Sequence, residues 1–352
     1  MTVDDIGSDI GSDIGRAQGT DFYLLDELLT EQERAVRDRV RTWADKEVLP
    51  VVNDYWSRGE FPRELLGGFA DLGIAGGAIS GYGCPGLSAV ADGLVSVELA
   101  RADGSLSTFH AVHTGLAMNA IATLGSEKQK QRYLPPMARL DALGAFALTE
   151  PEHGSDVVAL ETRARRDGGD YVLDGRKRWI GNGTLADTVV VWARDDDGKV
   201  GGFVVDRSEG EVPGYEARAI TNKTANRALW QAEITLTGVR VPAEARLEGS
   251  RSFADTSRVL ATSRQTVAWE GLGHAIAAYE CAVAYAGQRK QFGRPIASFQ
   301  LVQDKLSHML ADITSMQTLC FRLAQLQDEG RVTLGLASLA KLHTASGARR
   351  VC

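Results

Sequence analysis

Between residues 257 and 288, and again between 298 and 327, apolar side chains recur three or four positions apart over unusually long spans. Val302, Leu306, Met309, Ile313, Met316, Cys320 and Leu323 make the second stripe. A stripe of that length is buried only when long helices lie against one another, so the C-terminal part of the chain is predicted to be a helical bundle. A third amphipathic run, 333–352, reaches Cys352 with no cap or stop signal and reads as a helix still in progress, hence an incomplete, C-terminally truncated bundle. Helical periodicity also fills the N-terminal part. Thr30 and Glu33 form a capping-box pattern, and Val36, Val40, Trp43 and Ala44 follow at helical spacing until Pro50. Further helical patterns cover 62–72, 88–101, 105–124 and 126–140.

The texture changes near Gly144. From there to about residue 250 the chain carries short β-branched runs separated by turn dipeptides. Tyr171–Leu173 is predicted as a strand closed by a turn at Asp174-Gly175. Val189–Trp192 and Phe203–Val205 flank the DDDG turn of 195–198, and Ile234–Thr237 precedes Val239 and Val241. The spacing is that of a small barrel or sandwich. The expected fold is therefore α+β: a disordered tail (1–21), an N-terminal helical domain (22–143), a central β-barrel or sandwich domain (144–250) and a C-terminal helical bundle (251–352). The tail contains the tandem IGSDIGSDIGR, which is too poor in apolar surface to offset the entropy of ordering.

A chain of 352 residues with 39 Lys plus Arg against 46 Asp plus Glu carries a net charge of −7 and no long basic run, which disfavours a nucleic-acid partner. No apolar stretch approaches the ~20 residues that span a bilayer. Met1 to Asp5 are acidic where a secretory leader is basic, and the 4 cysteines (Cys84, Cys281, Cys320, Cys352) lie far apart. The expectation is a cytoplasmic protein with reduced thiols and no structural zinc.

Two motifs invite a chemical reading and fail it. GYGCPG at 81–86 matches the dinucleotide fingerprint, but the preceding segment makes a poor strand, Pro85 removes an amide that would cradle phosphate, and no βαβ unit follows, so it reads as a structural turn. His110 and His113 form an H-x-x-H pair without a third ligand, which reads as packing or capping rather than a metal site. Neither a phosphate-binding P-loop nor a nucleophile elbow is present.

Three other segments are informative together: ALTEPEHGSD at 147–156, RKRWIGNG at 176–183 and QRKQFGRPIASFQLVQ at 288–303. Their residues, their order and their places at the helix-to-strand junction, inside the β region and between two bundle helices resemble the acyl-CoA dehydrogenase family, from about Phe22 to Cys352. YGCPGLS at 82–88, STFHAVH at 107–113 and KRWIGN at 177–182 are similar to the branch that holds glutaryl-CoA dehydrogenases and short-chain acyl-CoA oxidases.

The resemblance implies FAD as cofactor and α,β-dehydrogenation of a short or medium acyl-CoA to the trans-2-enoyl-CoA. It implies that Leu148 and Thr149 offer backbone amides and a hydroxyl to the flavin ring, that Trp179 and Ile180 line its edge, and that Ser155 contacts the CoA portion. Arg289 and Phe292 match residues that reach the FAD pyrophosphate and adenine from a neighbouring subunit, and Gln300 lies in the adjoining cofactor-contacting turn, which implies an oligomer, usually a homotetramer. An Arg fork suits a diphosphate. Arg264 matches a bundle arginine near the catalytic centre.

The sequence departs from the family in three ways. The usual catalytic glutamate is expected beyond Cys352, and the alternative family position is Ser263, which cannot accept the substrate proton unaided. Glu270, two helical turns on, is not promoted to that role. The arginine that holds the distal carboxylate in glutaryl-CoA dehydrogenases falls at Ser107, so a neutral acyl chain is expected. Where many dehydrogenases carry a threonine facing the flavin, this chain has Gly181, and the vacated space is expected to admit oxygen, as in oxidases. The electron acceptor is accordingly an electron-transfer flavoprotein or oxygen. A non-catalytic flavin- or CoA-binding paralogue is the reading from a different class.

Overall fold

The computed structural model describes residues 19–352. In chain order the helices are α1 (Glu31–Trp43), α2 (Val52–Arg58), α3 (Leu65–Asp71), α4 (Ala89–Ala102), α5 (Gly104–His110), α6 (Asn119–Leu124), α7 (Glu127–Ala138), α8 (Phe253–Gln288), α9 (Gln300–Asp328) and α10 (Leu334–Val351). The strands are β1 (Ser80–Gly81), β2 (Cys84–Pro85), β3 (Gly144–Ala147), β4 (Arg163–Asp167), β5 (Asp170–Gly181), β6 (Thr188–Asp195), β7 (Val200–Asp206), β8 (Tyr215–Ala219), β9 (Gln231–Pro242), β10 (Lys290–Gln291) and β11 (Arg294–Pro295). Two stretches, Ala44–Val48 and Ala111–Met118, wind as wider π-helical turns. The expected tandem-repeat tail lies outside the described residues; at residues 20 and 21, assigned to the tail from the sequence, Thr20 is buried and the Asp21 carboxylate accepts the Leu25 and Asp26 amides at 2.8 Å each. Among the described residues no helix is long and apolar enough to cross a membrane.

Two compact units emerge. One comprises 43–87 and 103–263. Its centre is a single curled seven-stranded sheet in which β6 pairs in parallel with β3 and then β4 along one side and antiparallel with β7 along the other; β4, β5, β9 and β8 continue the order antiparallel. The central position of β6 explains its unbroken apolar run, since both of its faces are covered. Val189, Val191 and Ala193 join Phe203, Val205, Ile234 and Leu236 on one face. Val190 and Trp192 point the other way, onto Met118, Ile121, Leu134 and Met137 of the helical stretch 111–138. That period-2 alternation is what locks the register.

The predicted turn at Asp174-Gly175 is not a turn. The chain reverses at Gly168-Gly169, and β5 runs on through Asp174 with a bulge between Leu173 and Gly175. Asp174 spends its side chain as a cross-strand acceptor, taking the Gly238 amide at 2.7 Å, so its turn-forming chemistry is used within the sheet. A second bulge falls between Lys177 and Ile180. GYGCPG forms the tight β1–β2 hairpin, not a strand-to-helix phosphate loop.

The other unit comprises 19–42, 88–102 and 264–352. Here α4, α9, α10 and the larger part of α8 share a core that includes Val97, Ala268, Trp269, Leu272, Ile313, Met316, Cys320 and Ala340. The Thr30–Glu33 capping box forms as predicted, with the Thr30 amide donating to Glu33 at 2.8 Å and the Glu33 amide to the Thr30 hydroxyl at 3.2 Å. Glu98, 1% exposed, takes guanidinium donors from Arg41 at 2.9 Å and Arg101 at 3.0 Å. A buried carboxylate needs that pairing.

Candidate active site

Leu148, Thr149, Trp179 and Ile180 come together in the β-rich unit. The chain leaves β3 into Leu148 and Thr149, and this segment is laid against the second bulge of β5: the Arg178 amide donates to the Thr149 carbonyl at 2.9 Å. The bulge places Trp179 in the left-handed region at φ 62°, a costly conformation for a bulky L-residue. Its indole is 48% exposed, whereas the next residue, Ile180, is 2% exposed. Arg178 stacks over that ring at 5.2 Å and pairs with Glu233 at 3.0 Å. A large flat apolar surface is thus held open beside a polar loop.

Beneath the loop lies a pair of residues that sequence reasoning passed over. Lys177 is 1% exposed; its ammonium donates to the Leu148 carbonyl at 3.0 Å and to Glu150 Oε1 at 2.8 Å. Glu150 also accepts the Glu161 amide at 2.6 Å, the Thr162 amide at 2.9 Å and the Thr162 hydroxyl at 2.5 Å. Burial alone would raise the Glu150 carboxyl, but Lys177 and these donors hold it at about 2. Burial pushes the Lys177 ammonium down to about 8 against the pull of Glu150. Both residues sit inside the quoted motifs; the available signal was a lysine at an inward position of a strand, which demands a buried acid.

Asn182, fully buried at φ 63°, donates from Nδ2 to the Gly144 carbonyl at 3.1 Å and the Phe109 carbonyl at 3.3 Å, tying β5 to β3 and to α5. His113 fixes the start of β3 from the other side: Nδ1 accepts the Gly144 amide at 2.9 Å and Nε2 donates to the Met137 carbonyl at 3.0 Å. Both imidazole nitrogens are therefore committed to backbone. His110, 3% exposed, packs by its ring against Phe69 at 5.7 Å. Ser155 is exposed in the loop that follows, which a Glu150–His153 backbone turn holds.

The space expected beside Gly181 is filled. A Cβ built there would stand 2.8 Å from Val112 Cγ2, so the position of the missing side chain is taken up by a valine of the π-helical stretch. Ser107 is 2% exposed in α5. Ser263 returns its hydroxyl to the Leu260 carbonyl at 2.9 Å and offers no base.

The remaining predicted contacts belong to the helical unit. Phe292 and Gly293 form the left-handed tip of the β10–β11 hairpin, at φ 52° and 77°, with the Phe292 ring 93% exposed. Arg289 and Gln300 are exposed at the base of the same connection. Arg264 lines a cavity of about 410 Å³ with Lys341, Leu342 and Arg349.

The arrangement suits a flavin by its own chemistry. It offers an exposed indole wall and a polar loop whose carbonyls are turned into the protein, and nearby the buried Asn182 Oδ1 and Thr184 Oγ1 have no partner among the described residues. Helices, then a curled sheet, then long helices make a helical–β–helical class of fold, with this wall at a sheet bulge of its middle part. Family models agree along the chain: the acyl-CoA dehydrogenase N-terminal domain matches 30–141, the middle domain 145–239 and the C-terminal domain 253–352. The chain belongs to the acyl-CoA dehydrogenase family. The short-chain specific acyl-CoA dehydrogenase of Clostridium acetobutylicum is 32% identical over 333 residues, covering 93% of this chain and 87% of that one. A glutaryl-CoA dehydrogenase from Mycobacterium smegmatis in complex with FADH2 superposes with a TM-score of 0.92 at 35% identity, over 95% of this chain and 86% of that one. Butyryl-CoA dehydrogenase from Megasphaera elsdenii does so with a TM-score of 0.86 at 30% identity, over 92% and 86%. The protein is an FAD-dependent enzyme that dehydrogenates acyl-CoA thioesters.

Proposed function

We propose that the substrate is a short, neutral acyl-CoA and that the electrons pass to an electron-transfer flavoprotein. Buried Ser107 carries the first part. It stands where the glutaryl-specific branch has an arginine, and desolvating a distal carboxylate without a guanidinium at that position costs more than its packing returns. Val112 carries the second, because it fills the space that an oxygen-accepting site at Gly181 requires.

In this reading Leu148 and Thr149 hold the pyrimidine side of the ring, Trp179 and Ile180 wall its edge, and Ser155 receives the CoA arm. When bound, FAD supplies the acceptor for the hydride that leaves the β-carbon. Amides aimed from a rigid loop stabilise the charge that develops on the ring, so the loop tunes the reaction while the substrate's own α-proton goes to a carboxylate base. Arg289, Phe292 and Gln300, on an exposed tip, suit the adenylate half of a cofactor in a neighbouring subunit of a homotetramer. The cell compartment is the cytoplasm, in keeping with 4 free cysteines.

Binding tests the substrate reading without relying on turnover. Titrating the FAD-loaded protein with crotonyl-CoA and with glutaconyl-CoA, followed by the flavin difference spectrum, should give a Kd for crotonyl-CoA about 10-fold lower, or ~1.4 kcal/mol. Equal or tighter binding of glutaconyl-CoA would show that another cation holds the distal carboxylate.

A further inference from the structure

We propose that Lys177, compensated by Glu150, is a positioning residue that sets the direction of the Thr149 amide toward the cofactor. The inference rests on the proposed placement of Leu148 and Thr149 at the flavin ring.

A trans peptide is planar, with its C=O and the following N–H pointing in opposite directions. Lys177 Nζ holds the Leu148 carbonyl at 3.0 Å, so the Thr149 N–H of the same peptide plane is turned away from β5. The next carbonyl, of Thr149, is held by the Arg178 amide at 2.9 Å, and Glu150 is held by Lys177 itself at 2.8 Å. Three consecutive residues of the loop are thereby anchored to a short stretch of β5. Two of these anchors come from the Lys177 side chain, and the one on Leu148 holds the plane that carries the Thr149 donor.

A methylene chain in place of Lys177 would leave that plane free to rotate. The requirement for a cation explains the cost the fold accepts: an ammonium with a wholly buried side chain, matched by a carboxylate with three further donors. A charged donor also makes the stronger, more directional bond to a carbonyl. Were the pair needed only for stability, an apolar pair of similar volume would serve as well.

The test uses K177M, which strands the Glu150 charge, beside the double variant K177M/E150Q, which removes both charges together. Apoprotein melting temperature, FAD Kd and the shift of the 15N-labelled Thr149 amide on adding FAD are measured in each. K177M is expected to lower the melting temperature and the double variant to regain most of it, while the FAD Kd stays raised by about 10-fold in both and the Thr149 shift is lost. A double variant with the wild-type Kd and the wild-type Thr149 shift overturns the role of Lys177 alone. A Thr149 amide that FAD does not move in the wild-type protein overturns the placement of the loop and the inference with it.

Discussion

His110 and His113 occupy the interior of the β-rich unit as neutral rings, because burial pushes their pKa values down to about 3 and about 4 respectively; the proximity of His113 adds to the depression of His110. In the unfolded chain both titrate near ~6.5. The folded state therefore keeps the full benefit of the neutral rings above about 6.5 and loses it progressively as the pH falls toward about 4, where the unfolded state binds protons that the folded state refuses. Urea unfolding is expected to show a lower midpoint at pH 5 than at pH 7. H110F should reduce the pH slope by about one proton, since a phenyl ring keeps the contact with Phe69 and cannot titrate. An unchanged slope in H110F would place the proton uptake elsewhere. The pair also shows what sequence reading resolves at this scale. H-x-x-H was legible as packing because it lacked a third ligand, whereas the backbone bonds of His113 depend on where Gly144 and Met137 arrive from distant segments. Lys177 and Glu150 were not paired from the sequence for the same reason: they are 27 residues apart and meet only in the folded sheet.

At the level of elements, periodicity located most of the helices and the β-branched runs located the strands, because each signal is written locally. The exceptions were β3, β4 and β8, which carry no β-branched run and gave no local signal, and Asp174-Gly175, where local turn chemistry was overridden by pairing with β9. A similar override governs how α4 meets α8. Gly93 lies inside α4, where alanine would ordinarily gain about 1 kcal/mol of helix propensity. A Cβ at that position, however, would stand 2.2 Å from Trp269 Cε2 of α8, and one at Gly273 would stand 2.5 Å from the Val97 carbonyl of α4. The two helices approach through reciprocal glycine gaps. G93A is accordingly expected to destabilise the protein by about 1–3 kcal/mol, the usual scale of overpacking, in place of the propensity gain. Chemical denaturation of the purified variant measures it; a variant as stable as wild type would mean that Trp269 moves aside at no cost.

For the molecule as a whole, the succession of helices, sheet and helices was legible because it depends on texture over tens of residues. The three motif segments marked the family because their order is as specific as their residues. Their convergence was legible only in part. ALTEPEHGSD and RKRWIGNG meet at one bulge of one sheet, and the Arg178-to-Thr149 bond joins them directly. The filling of Gly181 by Val112 could not be read, since the valine comes from a π-helical stretch whose register no local pattern announces. We propose that this bulge and loop hold the isoalloxazine ring of FAD next to an acyl-CoA site. The most direct test is a difference spectrum: apoprotein is titrated with FAD or FMN, and crotonyl-CoA is then added anaerobically. FAD should bind far more tightly than FMN, and crotonyl-CoA should shift and sharpen its long-wavelength band in the wild-type protein but weakly in W179A. Tight binding of FMN alone, or an FAD band that crotonyl-CoA leaves untouched, would show that the bulge and loop do not hold FAD beside an acyl-CoA site.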